Sequence, residues 1–205
     1  MISHVANFQH GLNVGGAPCL ANGNFVGRDS ELNQLSDLLD PESLRQSAVA
    51  VVDIGGIGKT EFYIEYAVSH QEWYSSIIWL NAQDEPSLRA DLLNIAEIIL
   101  PYQVSMRTTR ADENVLIHTI RQLSSHPENR KWLLIFDNLD NPKVPGDEDP
   151  TSFDVRECFT YLSQGSILIT TLSRKITFAK QLHLQKLETV EQGLKSSPYD
   201  PDELS

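Results

Sequence analysis

Short apolar runs alternate along this chain with longer stretches in which apolar residues recur every three or four positions. The short runs cover residues 48–54, 77–80, 132–136 and 167–171. Runs of this length that are rich in valine, isoleucine and leucine are typical of strands buried on both faces of a parallel sheet. A weaker alternation around Leu182 and Leu184 predicts an edge strand. Five strands are therefore expected.

The stretches with helical spacing predict helices between these strands. Asp29 is placed to cap the first helix, which we expect Pro41 to end, and a second helix covers 59–70. Asp84 and Pro86 begin a third. The apolar residues assigned to helical faces are Leu32, Leu35 and Leu39; Leu88, Leu92, Ile95 and Ile99; Leu116, Ile120 and Leu123; and Val155, Phe159 and Leu162. This alternation predicts a three-layer α/β fold with a mostly parallel sheet.

The 205 residues suit one domain between two flanking segments. Residues 1–24 contain scattered glycines without sustained periodicity, so we assign them to a leader or linker of the kind that is often disordered. Residues 25–190 form the predicted domain. Residues 191–205 are assigned to an acidic and polar tail.

Composition and charge exclude several classes of protein. Sixteen basic against 28 acidic residues give a net charge of -12, which disfavours nucleic acid and anionic membranes as partners because no basic run offsets it. Cys19 and Cys158 lie too far apart to suggest a disulfide framework or metal spacing. No secretory signal pattern and no run of 18 apolar residues occurs. We therefore expect a soluble, cytoplasmic protein.

The strongest chemical signal is the glycine-rich turn between the first strand and its helix. Glycines let backbone N–H groups converge on phosphate oxygens, and the helix N-terminus adds its positive dipole end. Lys59 is expected to reach the β and γ phosphates, and the Thr60 hydroxyl to ligate magnesium. The residues assigned to nucleotide binding here are Gly55, Gly56, Ile57, Gly58, Lys59 and Thr60.

One position departs from the usual phosphate-loop pattern. Asp53 stands where a glycine is expected, six residues before Lys59. Aspartate tolerates positive φ better than most residues, but a carboxylate near phosphates weakens their binding unless it points away. A purely structural glycine turn is the alternative, and the strand and helix on either side favour the phosphate-binding interpretation.

Acidic residues follow the strand at 132–136. Asp137 at its tip is assigned to magnesium together with Thr60, a partial shell that a nucleotide completes. Its alternative role is that of a turn residue or helix cap. Asp140 is a weaker catalytic candidate, since it fits the polarisation of an attacking water and equally the formation of a turn before Asn141.

Five motifs in order resemble those of the NB-ARC-type signalling NTPases of the STAND class, found in plant, animal and fungal intracellular receptors. Phe25, Val26, Gly27, Arg28 and Glu31 resemble the entry motif, 54–60 the phosphate loop, 78–82 the second-strand motif, 133–140 the magnesium strand in its fungal form, and 165–171 the sensor strand. The resemblance implies bound ATP or ADP with Mg²⁺. It also implies that the five strands, numbered in chain order, are arranged 2-3-1-4-5, and that Val26 and Arg28 lie near the adenine. Without the later motifs, Arg28 is equally a solvated arginine at a helix entry.

The resemblance breaks down at the sensor strand and at the chain's end. Leu172 follows Thr170 and Thr171, where the family has an arginine that touches the terminal phosphate. Arg174 is a weak substitute two positions further on, or an exposed cation. Family members also continue into helical, winged-helix and usually repeat domains, so the chain is expected to be a fragment of a longer receptor or a truncated relative.

Three functions remain open on the sequence. The joint presence of Lys59, Thr60 and Asp137 favours a nucleotide-dependent switch domain with weak or absent hydrolysis. A competent ATPase or small-molecule kinase needs a positioned base and a positive charge on the leaving phosphate. A degenerate interaction domain that has lost its ligand is favoured by Asp53 and Leu172.

Overall fold

Strands and helices alternate along the chain, as the apolar pattern predicts. The computed structural model describes residues 12–15, 25, 27–43, 45–52, 58–99, 129–159 and 162–184. The strands are β1 (Leu12–Gly15), β2 (Ser47–Val52), β3 (Ser76–Asn81), β4 (Trp132–Asp137), β5 (Ser166–Thr171) and β6 (Lys180–Leu182). The helices are α1 (Asp29–Leu39), α2 (Lys59–Ser69) and α3 (Glu85–Ile99), with 3₁₀ turns at Gln71–Trp73 and Val155–Cys158.

All six strands belong to one sheet in the order β1-β3-β4-β5-β2-β6, and every neighbouring pair is parallel. The α/β fold class is confirmed. The implied strand order 2-3-1-4-5 was wrong, because the five predicted strands are arranged 2-3-4-1-5 and β5 separates β4 from β2. An apolar run shows that a strand is buried but not which strand lies beside it, and crossover connections permit either arrangement.

The sheet also has a strand that the sequence did not predict. β1 lies within 1–24, to which no regular element was assigned, and it pairs with β3 in the register Leu12↔Ser76 to Gly15↔Trp79. Four residues are too few to show a period among scattered glycines. At least part of the predicted leader therefore extends the sheet.

Each face of the sheet carries its own apolar core. Successive side chains of a strand point to opposite faces, so Leu133 and Ile135 of β4 pack with α1 and α2, whereas Leu134 and Phe136 pack with α3. The core residues that the helices contribute are Leu35, Leu39, Phe62, Tyr63, Tyr66 and Ala67 on the first face, and Leu88, Leu92, Ile95 and Ala96 on the second. Two packed faces give the predicted three layers.

Two helix ends differ from expectation. Arg28, with φ 68°, is the N-cap of α1 and makes no side-chain capping bond. Asp29 is instead the first helical residue, where its negative charge faces the positive end of the helix dipole. The expected helical face at Val155, Phe159 and Leu162 begins with a 3₁₀ turn at Val155–Cys158, where Asp154 accepts a hydrogen bond from the Arg156 N–H.

The helix predicted around Leu116, Ile120 and Leu123 lies outside the described residues. Among the helices that are described, none is long and apolar enough to cross a membrane.

The turn before β5 depends on one glycine. Gly165 has φ 92°, and a Cβ at this position would lie 2.2 Å from Cε2 of the buried Trp132. Its carbonyl accepts a hydrogen bond of 3.0 Å from the Ser47 N–H. This turn therefore joins the start of β5 to the start of β2, and both its φ and its packing require glycine.

Candidate functional site

The carboxyl ends of β2, β4 and β5 meet at one edge of the sheet, because the strands are parallel. β5 pairs with β2 up to Val52↔Thr171 and with β4 up to Phe136↔Ile169. Neighbouring strands are about 4.8 Å apart, so the tips of β2 and β4 are roughly 10 Å apart. Ligands of open α/β sheets bind at this kind of edge.

The helix α2 begins at this edge with the residues assigned to phosphate and magnesium. Gly58 is its N-cap with φ 80°, a left-handed conformation that favours glycine, and its carbonyl accepts the Phe62 N–H at 3.0 Å. Lys59 and Thr60 follow in the first turn, both half-buried. The structure thus confirms that a helix starts where the phosphate-binding interpretation needs one.

The rest of the predicted loop lies outside the described residues. This holds for Asp53, Gly55, Gly56 and Ile57, and for Val26 of the entry motif. Their assignment to the nucleotide stays a prediction.

Arg28 is buried, with 8% of its surface exposed, and both it and Gly27 have positive φ. Its carbonyl accepts the Leu32 N–H at 2.9 Å, which starts α1. The alternative of a solvated arginine at a helix entry is wrong because the residue is buried. Whether it lies near an adenine stays a prediction.

Asp137 is the last residue of β4, and its carboxylate is buried with 7% exposed surface. The Thr170 hydroxyl donates to Asp137 Oδ1 at 2.6 Å. Burial raises the pKa of the Asp137 carboxyl, and this hydrogen bond together with the other polar groups near the carboxyl offsets only part of that effect. The site therefore holds an acceptor whose negative charge is incompletely stabilised.

The oxygen atoms that Asp137 and Thr60 offer as ligands fit magnesium. Among the described residues no lysine or arginine forms an ion pair with Asp137. A buried carboxylate without a cationic partner is costly, and Mg²⁺ accepts one or two carboxylates together with phosphate oxygens and water. A magnesium ion held by Asp137 and the Thr60 hydroxyl would supply the missing positive charge.

The loop after β4 is held by β5 rather than by its own residues. Thr170 Oγ1 also accepts the Asn138 N–H at 2.6 Å, and the Thr170 carbonyl accepts the Leu139 N–H at 2.9 Å. Thr171 donates its hydroxyl to the Leu139 carbonyl at 2.5 Å. Both threonines of the predicted sensor strand thus anchor the magnesium-strand segment.

The sequence did not predict this role of the threonines. The sequence does contain a relevant pattern, since one apolar run ends in two threonines and another ends in an aspartate. The predicted order 2-3-1-4-5 gave no reason to connect the two, because it placed β2 rather than β5 next to β4. The observed order brings Thr170 to Asp137, 33 residues away in the chain.

Asp140, the weaker catalytic candidate, is exposed, and its Oδ1 accepts the Leu172 N–H at 2.6 Å. One of its oxygens therefore holds the end of β5 against the loop, as expected of a turn former. A role in polarising water stays a prediction.

The residues at the sensor position face solvent. Leu172 has 50% of its surface exposed, and Arg174 is exposed as well. Within the described ranges, the Arg174 guanidinium makes no hydrogen bond or ion pair. Nothing in the described contacts directs Arg174 towards a phosphate.

Comparison with known proteins gives sequence relatives and similar solved structures, of which two relatives and one structure are described here. No family model matches. The chain is 27% identical over 164 residues to a nucleotide-binding leucine-rich repeat (NLR)-like protein of Hyaloscypha variabilis, a match that covers 75% of this chain. It is 26% identical over 175 residues, 82% of this chain, to a putative disease resistance RPP13-like protein 1 of Arabidopsis thaliana. The chain spans about 16% of the length of each of these relatives.

Among solved structures, the ORC2 protein of Aeropyrum pernix in its ADPNP–ADP complexes aligns with a TM-score of 0.48 and 17% identity, over 82% of this chain and 50% of that one. The two sequence relatives match most of the chain that carries the five motifs. The resemblance drawn from those motifs is therefore confirmed, and the chain is similar to the nucleotide-binding, P-loop NTPase domain of NB-ARC-type, NLR-like proteins.

Proposed function

We propose that this chain binds ATP or ADP with Mg²⁺ as the nucleotide-switch domain of an NLR-like signalling NTPase, and that it hydrolyses ATP slowly or not at all. Lys59 and the backbone of 55–58 hold the phosphates, Thr60 and Asp137 hold the magnesium ion, and Val26 with Arg28 flanks the adenine. The domain boundaries 25–190 belong to the same proposal.

One observation carries the proposal, which is the placement of Asp137. A carboxylate buried at the tip of β4, hydrogen-bonded by Thr170 but without a cation among the described residues, lies at the edge where α2 begins with Lys59 and Thr60. A structural turn residue gains nothing from this burial, whereas a magnesium ligand gains a fixed geometry and a strong attraction for the ion.

Slow hydrolysis is supported by the charges at the sensor position. Phosphoryl transfer depends on cations around the terminal phosphate, and an arginine there is worth roughly a thousandfold or more in rate. Leu172 offers an exposed apolar side chain instead, and the nearest cation in sequence, Arg174, lies in solvent. The described residues therefore favour holding nucleotide over cleaving it.

The two relatives are much longer than the matched region. Helical, winged-helix and repeat domains as partners of this one stay a proposal that follows from the resemblance.

Binding calorimetry with ATP and with ADP, in excess magnesium and in excess chelator, tests the proposal. We expect the parent to bind both nucleotides, and magnesium to tighten the binding of ATP. Asp137→Asn removes the charge but keeps an acceptor for Thr170, so it is expected to bind nucleotide in chelator as the parent does and to lose the magnesium effect. An Asp137→Asn variant that keeps the full magnesium effect would contradict the metal assignment. A parent that binds no nucleotide would favour the degenerate interaction domain.

A further inference from the structure

Tyr63 carries a buried phenol hydroxyl on the face of α2 that packs against the sheet. The side chain lies on α2 with 0% of its surface exposed, and its hydroxyl has no hydrogen-bond partner among the described residues. Buried hydroxyls are nearly always paired, because leaving one unpaired costs free energy. The contrast within the same helix is clear, since the Tyr66 hydroxyl lies 2.8 Å from that of Tyr74.

Tyr63 and Asp137 lie on the same face of the sheet. Tyr63 packs against Leu133 and Ile135 of β4 in the core that α2 covers. Asp137 continues their alternation, two residues further along the strand, so its carboxylate points to that same face. The charge of Asp137 acts on the Tyr63 phenol, which is consistent with this placement.

The chemistry of the two groups is complementary. Burial, together with the negative charge of Asp137, raises the pKa of Tyr63 well above its ordinary value, so the phenol keeps its proton and is a donor. An ionised carboxylate accepts about four hydrogen bonds, and within the described part of the chain the Asp137 carboxylate accepts one, from the Thr170 hydroxyl.

We propose that Tyr63 is a positioning residue for Asp137, donating its hydroxyl to the carboxylate when nucleotide and magnesium are bound but not in the free protein. The inference rests on the proposed function, because the ligand provides the change. Tyr63 lies four residues after Lys59, one turn along the helix whose first residues hold the phosphates and the metal. A ligand that draws the start of α2 towards the sheet edge thereby moves the hydroxyl to its acceptor.

This geometry makes the hydrogen bond specific to one state. An interaction formed only in the loaded protein adds to affinity, whereas one present in both states does not. Since the hydroxyl acts through Asp137, and Asp137 acts on the magnesium ion, its contribution is expected only when magnesium is present.

The test uses Tyr63→Phe in the full chain, with Tyr66→Phe as the matched control on the same helix. For Tyr63→Phe we expect the free protein to resist urea as well as the parent or better, because no hydrogen bond is lost. Its affinity for ATP in magnesium should fall about tenfold, as for the loss of a hydrogen bond to a charged group, while its affinity in excess chelator stays at the parent's value. Tyr66→Phe should show the opposite pattern, with lower resistance to urea and unchanged affinity.

Three results would overturn the inference. Equal magnesium-dependent affinity in Tyr63→Phe and the parent would show that the hydroxyl does not reach Asp137. A lowered urea midpoint of free Tyr63→Phe would show that the hydroxyl already has a partner. A parent that binds no nucleotide would remove the proposed function itself, and this outcome is distinguished from the others by the parent's own titration.

Discussion

Replacing Thr170 with valine should cost this domain about 2–4.5 kcal/mol of unfolding free energy. Valine keeps the shape of threonine but removes the hydroxyl that donates to Asp137 Oδ1 at 2.6 Å and accepts the Asn138 N–H at 2.6 Å. Thr170 is buried with 1% of its surface exposed, so water cannot replace either bond. A bond to a charged group contributes about 1.5–3 kcal/mol and a neutral one about 0.5–1.5 kcal/mol, and the sum gives the stated range.

Urea denaturation followed by circular dichroism measures this loss. Thr170→Ser is the control, because it keeps the hydroxyl while giving up one methyl group, and it should cost less than half as much as valine. The valine variant should also lose magnesium-dependent nucleotide affinity, because Asp137 and Asn138 lose the hydroxyl that holds them in place. A loss below about 0.5 kcal/mol for valine, a value usual for a surface substitution, would refute the role given to Thr170 as the anchor of Asp137.

Three further predictions concern charge, packing and turnover. Asp137→Asn should stabilise the free protein at neutral pH. The folded-state pKa of Asp137 is raised, so the stability that the protonated Asp137 contributes is present at acid pH and is lost as pH rises through that pKa. Urea titrations in which the gain of the variant over the parent stays constant from pH 3 to 7 would contradict this. Gly165→Ala should cost about 2 kcal/mol or more of unfolding free energy, because its φ is positive and the new Cβ would overlap Trp132. Gly146→Ala, with φ 82° and no atom within 4 Å of the new Cβ, should show only the backbone strain of roughly 1–2 kcal/mol. Equal urea midpoints for the two variants would contradict the packing argument. The parent should release phosphate from ATP far more slowly than about one per second, with Lys59→Ala as the contamination control, and a faster rate would show that hydrolysis does not need the arginine replaced by Leu172.

The elements of this fold were predictable because burial leaves a strong local pattern. Residues buried on both faces of a sheet must be apolar throughout, so β2, β3, β4 and β5 appear in the sequence as continuous runs. The start of α2 was also predictable from local sequence, because a glycine such as Gly58 readily takes the left-handed conformation that the residue before this helix adopts.

The arrangement of those elements was not predictable in the same way. Strand order is decided by how whole layers pack, and the apolar run of β5 contains nothing that places it beside β4 rather than at the other side of β2. The strand β1 was missed because four residues show no period. The helix predicted from Val155, Phe159 and Leu162 was wrong at its start, where Val155–Cys158 forms a 3₁₀ turn capped by Asp154.

The candidate site was predicted by residue type but not by its contacts. Lys59, Thr60 and Asp137 could be assigned from spacing alone, because their chemistry is read along the chain. The hydroxyl of Thr170 reaches Asp137 only through tertiary structure, across a separation in the chain that no local pattern records.

The central claim is that α2 begins at a phosphate-binding site, and Lys59→Ala tests it most directly. Lys59 is half-buried in the first turn of the helix and belongs to neither apolar core, so the Lys59→Ala variant should keep the circular dichroism spectrum of the folded parent. Binding calorimetry with ATP and ADP in magnesium should show heat of binding for the parent and none for the variant. A folded Lys59→Ala that binds either nucleotide as tightly as the parent would contradict the account.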